Sequence, residues 1–134
     1  MAVVDASVWV SICHAGDRFH GRCRDWLSSR LANGEVLIAP SLLAVEVAAA
    51  IRRLTGDASL AAEASRGLLE AGPVRLYPLT HSRSRASAEL AARLGLRGAD
   101  AVYLALAVEK EKDLVTLDRQ QLERGRGVVK VSRP

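Results

Sequence analysis

The chain has 134 residues, a formal net charge of +4, 49% hydrophobic residues and 25% charged residues. This length suffices for one domain with a buried core, and the composition is that of a folded protein rather than a disordered one. No apolar stretch approaches the roughly 20 residues that span a bilayer, and the acid at position 5 argues against a signal peptide. We therefore expect a single domain over residues 1–134 that has no membrane segment and acts in the cytoplasm.

Short apolar runs alternate with helical patterns along the chain. Residues 2–5 form a β-branched run that predicts a strand, Ser7 is a candidate N-cap for a helical segment to residue 15, and Asp17 opens another to residue 31. Further strands are predicted over 36–39, 74–76, 114–117 and 128–131, and further helices over 41–55, 57–71, 80–95, 98–112 and 119–123. This alternation predicts an α/β fold with a parallel sheet covered on both faces.

Four acidic residues each adjoin a hydrophobic run, namely Asp5, Glu46, Asp100 and Asp118. A carboxylate that leaves water without a partner has a high free-energy cost, so each of these acids needs a cation or hydrogen-bond donors. Asp5 and Asp118 lie at the carboxyl ends of predicted strands, at the edge where parallel α/β sheets bind ligands. We interpret the four acids as ligands of one shared cation.

Each acid also has a structural explanation. Asp100 suits a helix N-cap, and Asp5 and Asp118 are also candidate capping residues. Glu46 could form an internal salt bridge with Arg53, which lies about two helical turns further on. Glu46 is the hardest to explain in this way because its neighbours one turn away on the helix are leucines and alanines.

Carboxylate ligands without imidazole or thiolate select hard divalent cations such as Mg²⁺ or Mn²⁺. A water bound to such an ion can attack a phosphodiester while the ion stabilises the charge on the phosphate. Of the 19 basic residues 16 are arginine, a side chain that pairs with phosphate through two N–H groups. The pattern therefore suggests metal-assisted hydrolysis. Two cysteines and two histidines within residues 13–23 match no common zinc spacing.

Four segments of the chain resemble the PIN-domain ribonucleases, and in particular the short VapC-type toxins of toxin–antitoxin pairs. In order they are Val-Val-Asp5-Ala-Ser7-Val-Trp, Pro40-Ser-Leu-Leu-Ala-Val-Glu46-Val, Leu94-Gly-Leu-Arg-Gly-Ala-Asp100-Ala-Val-Tyr-Leu-Ala-Leu-Ala and Leu114-Val-Thr116-Leu-Asp118. The resemblance implies a three-layer α/β/α fold with a central, mostly parallel sheet. It also implies cleavage of RNA, a homodimer and a cognate antitoxin as partner.

The resemblance further implies the roles of the four acids. Asp5 and Asp100 would be the direct ligands of Mg²⁺ or Mn²⁺. Glu46 and Asp118 would bind the ion through water or position the nucleophile.

Other residues near these acids are also candidates for the site. Ser7 and Thr116 match its small hydroxyl positions and would orient a water or a carboxylate. Arg97 is the arginine for which we predict contact with the substrate, because it lies three residues before Asp100. Family members often have a further acid close to the fourth one, whereas an arginine and two glutamines follow Asp118 here, so the number of metals stays open.

We predict a Mg²⁺- or Mn²⁺-dependent endoribonuclease that is the toxin of a toxin–antitoxin pair. One alternative is a PIN-like module without activity that binds RNA or serves as a scaffold, although the presence of all four acids argues against it. Another is a metal-dependent phosphatase or DNA nuclease that uses the same carboxylates.

Overall fold

Five short strands form the centre of the computed structural model, which describes residues 1–134. In chain order the elements are β1 (Ala2–Val4), α1 (Ala6–Cys13), α2 (His20–Ala32), β2 (Leu37–Pro40), α3 (Leu42–Thr55), α4 (Ala58–Glu70), β3 (Val74–Tyr77), α5 (His81–Leu94), α6 (Gly98–Lys110), β4 (Asp113–Val115), α7 (Arg119–Gly125) and β5 (Val131–Ser132). The sheet order is β3-β2-β1-β4-β5, and every neighbouring pair is parallel. The predicted three-layer α/β/α fold is confirmed, with a sheet that is parallel throughout.

The central strand β1 is buried along its whole length. It pairs with β2 on one side and β4 on the other, so both of its edges are satisfied by backbone hydrogen bonds. A strand in this position has helices over both faces and therefore consists of apolar residues without polar alternation. One core cluster of 28 buried residues surrounds it, and Trp9 and Tyr103 are its largest fully buried side chains.

The strand order reverses between β1 and β4. From β1 the chain builds β2 and β3 on one side of the sheet, and it then crosses to place β4 and β5 on the other. In open parallel sheets a crevice forms at such a switch point, outside the carboxyl ends of the strands. Asp5 directly follows β1 and Thr116 directly follows β4, so both residues lie at this crevice.

Most predicted boundaries differ from the observed ones by one or two residues, as where β4 ends at Val115 instead of Leu117. Three differences have a clear local cause. The N-cap of α1 is Asp5 instead of Ser7, since the Asp5 carboxylate accepts the Ser7 backbone N–H. Helix α2 begins at His20 instead of near Asp17, whose carboxylate accepts the Ser11 hydroxyl and the Phe19 N–H. The last strand is Val131–Ser132, because residues 126–128 form a turn.

Two predicted helix ends are confirmed by their caps. Gly56 ends α3 and Gly95 ends α5, both with positive φ in the left-handed region, which costs glycine little. None of the helices is both long enough and apolar enough to cross a membrane.

Candidate active site

A cleft of about 580 Å³ opens at the switch point of the sheet. Its walls contain all four acids singled out from the sequence, Asp5, Glu46, Asp100 and Asp118, although these come from the end of β1, from α3 and α6 and from the N-cap of α7. The other polar residues of the lining are serine, aspartate and arginine, and no histidine or cysteine lies among them. The cleft therefore offers carboxylate and hydroxyl oxygens, with arginines beside them.

Asp5 is 4% exposed and lies where β1 passes into α1. Its Oδ2 atom accepts the Ser7 N–H at 3.1 Å, the Ser7 hydroxyl at 2.6 Å and the Thr116 hydroxyl at 3.0 Å. Its Oδ1 atom accepts the Gln121 side-chain amide at 2.9 Å. Four donors offset the cost of burying this carboxylate. Asp5 therefore caps α1 and lines the cleft at the same time.

The two predicted hydroxyl residues connect the ends of β1 and β4. Thr116 is fully buried, and its Oγ1 atom accepts the Asp118 N–H at 2.9 Å while its hydroxyl donates to Asp5. Ser7 Oγ accepts the Leu117 N–H at 3.0 Å, and its hydroxyl also donates to Asp5. Because each hydroxyl has a single hydrogen, these bonds orient both groups toward Asp5.

Asp100 is not the N-cap of α6. The cap position is Arg97, and Asp100 lies in the first turn of the helix, 7% exposed. The Arg97 guanidinium donates from Nε to Asp100 Oδ2 and from Nη2 to Asp118 Oδ2, both at 3.0 Å. Burial raises the pKa of Asp100, the Arg97 bond opposes this shift, and the nearby Asp5 charge adds to it. The contact with Asp100 raises the pKa of Arg97 in turn.

Asp118 combines the capping role and the site role that the sequence left open. Its Oδ1 atom accepts the Gln121 backbone N–H at 2.9 Å and so caps α7, while its Oδ2 atom forms the ion pair with Arg97. The two oxygens of one carboxylate therefore serve two different elements.

Glu46 lies in the middle of α3 and takes its hydrogen bond from Tyr103 instead of Arg53. The Tyr103 hydroxyl donates to Glu46 Oε2 at 2.5 Å. Burial raises the pKa of Glu46, and the Tyr103 bond opposes the rise, while the charges of Asp5 and Asp100 reinforce it. Burial, followed by the Glu46 charge, also raises the pKa of Tyr103. Arg53 lines the cleft without pairing with Glu46.

Gln121 is a site residue that the sequence did not identify. It is 1% exposed, and its Nε2 atom donates to Asp5 Oδ1 at 2.9 Å and to Asp100 Oδ1 at 3.1 Å. The only signal in the sequence is its spacing three residues after Asp118, which is that of a capping box. That motif would turn the side chain back to the Asp118 N–H, but Thr116 accepts this N–H instead.

No group of three or more His, Cys, Asp or Glu side chains is arranged to hold a metal ion in this structure. The positive charge between Asp100 and Asp118 is the Arg97 guanidinium. The chemistry of the lining nonetheless fits a hard divalent cation, because its candidate ligands are carboxylate and hydroxyl oxygens. Whether the four acids share one ion thus stays a prediction.

The fold and the cleft define a three-layer α/β/α domain whose carboxylates gather at the switch point of a parallel sheet. The family model for the PIN domain matches residues 2–127, and the chain belongs to the PIN-domain family. The resemblance seen in the sequence is thereby confirmed.

Two solved structures show the same fold. VapC20 of Mycobacterium tuberculosis, a toxin that cleaves the sarcin–ricin loop, has a TM-score of 0.80 and 23% identity, with all of both chains covered. FitAcB of Neisseria gonorrhoeae has a TM-score of 0.71 and 16% identity over 98% of this chain and 96% of that chain. A comparison with functionally characterised proteins found no significant match.

Proposed function

We propose that this PIN-domain protein is a divalent-metal-dependent endoribonuclease and the toxin of a toxin–antitoxin pair. The observation that carries the proposal is the gathering of four acids from distant parts of the chain in one cleft, Asp5, Glu46, Asp100 and Asp118. Support also comes from VapC20, a toxin of the same fold that cleaves the sarcin–ricin loop. At 23% identity the similarity shows a shared fold, and it does not identify the RNA that this protein would cleave.

Asp5 and Asp100 are the proposed direct ligands of Mg²⁺ or Mn²⁺, with Asp118 and Glu46 acting through water. Three donors already occupy Asp5 Oδ2, whereas Oδ1 accepts one hydrogen bond and retains a free lone pair. Each Asp100 oxygen likewise accepts a single hydrogen bond. When bound, the ion would lower the pKa of a coordinated water and stabilise negative charge on the phosphate.

Glu46 is the proposed proton acceptor at the site. Its Oε2 atom is held by the Tyr103 hydroxyl, and its Oε1 atom accepts no hydrogen bond from the protein. A water in the cleft can therefore donate to Oε1. Because burial raises the pKa of Glu46, its carboxylate is a stronger base than an exposed glutamate.

Arg97 is the proposed contact to the RNA backbone. Its side chain is 69% exposed, and its two ion pairs use two of the five N–H donors of a guanidinium. The remaining donors are available to a phosphate at the mouth of the cleft. In this arrangement Arg97 neutralises the acids when the cleft is empty and offers positive charge when RNA enters.

The test is cleavage of RNA by the purified protein with Mg²⁺ or Mn²⁺, with and without EDTA. We expect cleavage that EDTA stops, and a loss of more than about 100-fold for Asp5→Asn and for Asp100→Asn, because direct ligands matter more than the residues that only support a ligand. Asp25→Asn, at an exposed position on α2, should cleave at the wild-type rate. Wild-type activity in Asp5→Asn or Asp100→Asn would show that the site assignment is wrong.

The Arg97 ion pairs favour one alternative, a PIN-domain module that binds RNA without cutting it. The guanidinium neutralises part of the acidic cluster without any metal. Such a module would bind RNA equally well in EDTA and in Mn²⁺ and would release no product. Parallel assays with DNA and a small phosphate ester separate the RNase from a DNA nuclease or a phosphatase on the same carboxylates.

The proposal includes the partners of a toxin. A free ribonuclease endangers the cell that makes it, so an antitoxin would cover the cleft and place a basic side chain against the carboxylates. Val45 supports a protein partner, because this apolar side chain lines the cleft and is 65% exposed. A homodimer and a cytoplasmic site of action, where RNA is available, belong to the same proposal. The mass of the complex with the product of a neighbouring gene tests it.

A further inference from the structure

A buried glutamine connects two of the proposed metal ligands. Both N–H groups of the Gln121 amide donate to carboxylate oxygens, one to Asp5 Oδ1 and one to Asp100 Oδ1. These acids belong to different elements, since Asp5 ends β1 and Asp100 lies on α6. Because both oxygens contact one nitrogen, at 2.9 and 3.1 Å, they lie within about 6 Å of each other.

Packing alone does not account for this amide. The Gln121 side chain is 1% exposed, and its Oε1 atom is buried without a hydrogen-bond partner. An unpaired buried carbonyl is unfavourable, and an apolar side chain of the same shape would avoid it. The two hydrogen bonds from Nε2 therefore have to offset the free-energy cost of the unpaired oxygen, which points to a role of the amide at the site.

The charge of the side chain at this position is restricted by its neighbours. A carboxylate would add a third negative charge against Asp5 and Asp100 and could not donate to them. A lysine or arginine would neutralise both acids and compete with any cation for their oxygens. A neutral group with two N–H donors reduces the repulsion between the acids and leaves their charge in place.

The amide also selects particular oxygens. Asp5 Oδ2 is occupied by Ser7 and Thr116, so Oδ1, which only Gln121 contacts, is the oxygen of Asp5 with a free lone pair. The same amide contacts Asp100 Oδ1. Gln121 thus orients one available oxygen from each of the two proposed direct ligands.

We propose that Gln121 is a positioning residue, whose amide orients the Asp5 and Asp100 carboxylates and reduces the repulsion between them, so that a divalent cation binds the pair more tightly. This inference rests on the proposed function, since it assumes that the two acids bind a cation. Gln121 itself is not a ligand in the proposal, and its effect on cleavage is indirect.

The test measures Mn²⁺ binding to the full chain by calorimetry, together with the midpoint of thermal unfolding in EDTA. Gln121→Met keeps the length of the side chain and removes both donors. We expect its dissociation constant for Mn²⁺ to rise by about tenfold or more, the effect typical of losing a group that orients a metal ligand. Gln120→Met, at the exposed neighbouring position on α7, is the control and should bind Mn²⁺ as the wild type does.

A second variant covers the case in which Gln121→Met does not fold. Gln121→Asn keeps the amide but withdraws it by one methylene, so it cannot reach both acids, and weaker Mn²⁺ binding is expected again. If the wild type binds Mn²⁺ and a folded Gln121 variant binds it within twofold, the positioning role is wrong while the metal site stands. If the wild type binds no Mn²⁺, the metal site is wrong and the positioning role is overturned with it.

Discussion

At the scale of single residues, the cleft places two carboxylates in different environments, the buried one of Asp5 and the half-buried one of Glu46. Asp5 accepts four hydrogen bonds, whereas Glu46 accepts one, from Tyr103. Burial raises the pKa of Glu46, and the charges of Asp5 and Asp100 add to the rise. Neighbouring acids in an active site take different chemical roles when their surroundings differ. The geometry therefore supports Asp5 as ligand and Glu46 as base.

The raised pKa of Glu46 predicts a pH-dependent stability in metal-free protein. The folded state holds this proton more tightly than the unfolded chain, so the stabilisation is complete at low pH and is lost as the pH rises through the folded-state pKa. Glu46→Gln imitates the protonated form and can still accept the Tyr103 hydroxyl. In EDTA we expect it to be more stable than the wild type at neutral pH, with a difference that shrinks on acidification.

Denaturant unfolding in EDTA at several pH values measures this difference. Glu63→Gln, at an exposed position on α4, is the matched control and should change stability little at any pH. A Glu46→Gln variant that is less stable than the wild type at neutral pH would show that the Glu46 carboxylate is stabilising in its half-buried position.

At the scale of elements, the short helix α7 connects the fold to the cleft. Asp118 caps it, and Gln121, in its first turn, contacts Asp5 and Asp100. The start of α7 is therefore held by the same side chains that line the site. This arrangement explains how seven residues, fewer than are stable as an isolated helix, keep a defined position.

The two roles of Asp118 can be separated by two substitutions. Asp118→Asn keeps an oxygen that accepts the Gln121 N–H and loses the charge that faces Arg97, so we expect nearly wild-type stability and little cleavage. Asp118→Ala loses both contacts, and we expect a cost of about 1 kcal/mol in the free energy of unfolding as well as little cleavage.

Asp57 is the matched control for these variants, because it caps α4 through the Leu60 N–H away from the cleft. Asp57→Ala should lose a similar amount of stability and keep full cleavage. Unfolding midpoints and cleavage rates are compared for all three proteins, and a fully active Asp118→Asn would reduce Asp118 to a capping residue.

At the scale of the whole molecule, the order of apolar runs and acids predicted the fold and which acids line the cleft. Strand ends in a parallel sheet meet at one edge, so Asp5 and Asp118 could be placed from the sequence alone. The partners of Arg97 and the inward orientation of Gln121 could not, because they depend on how α6 packs against β1 and α7 against β5. Asp5 and Ser7 are both favoured caps, and only the folded turn distinguishes them.

The acidic cluster also makes a prediction about global stability. Asp5, Glu46, Asp100 and Asp118 share one cleft with a single arginine in contact with two of them, so metal-free protein holds like charges close together. A divalent cation that binds only the folded state stabilises it by about 2.7 kcal/mol at 100 times its dissociation constant. For a chain of this length, we expect the unfolding midpoint to rise by roughly 10 °C in saturating Mn²⁺.

Asp5→Asn and Asp100→Asn should lose most of this rise, and Asp25→Asn should keep it. An equal rise in all four proteins, measured by thermal unfolding against EDTA, would place the cation elsewhere on the surface.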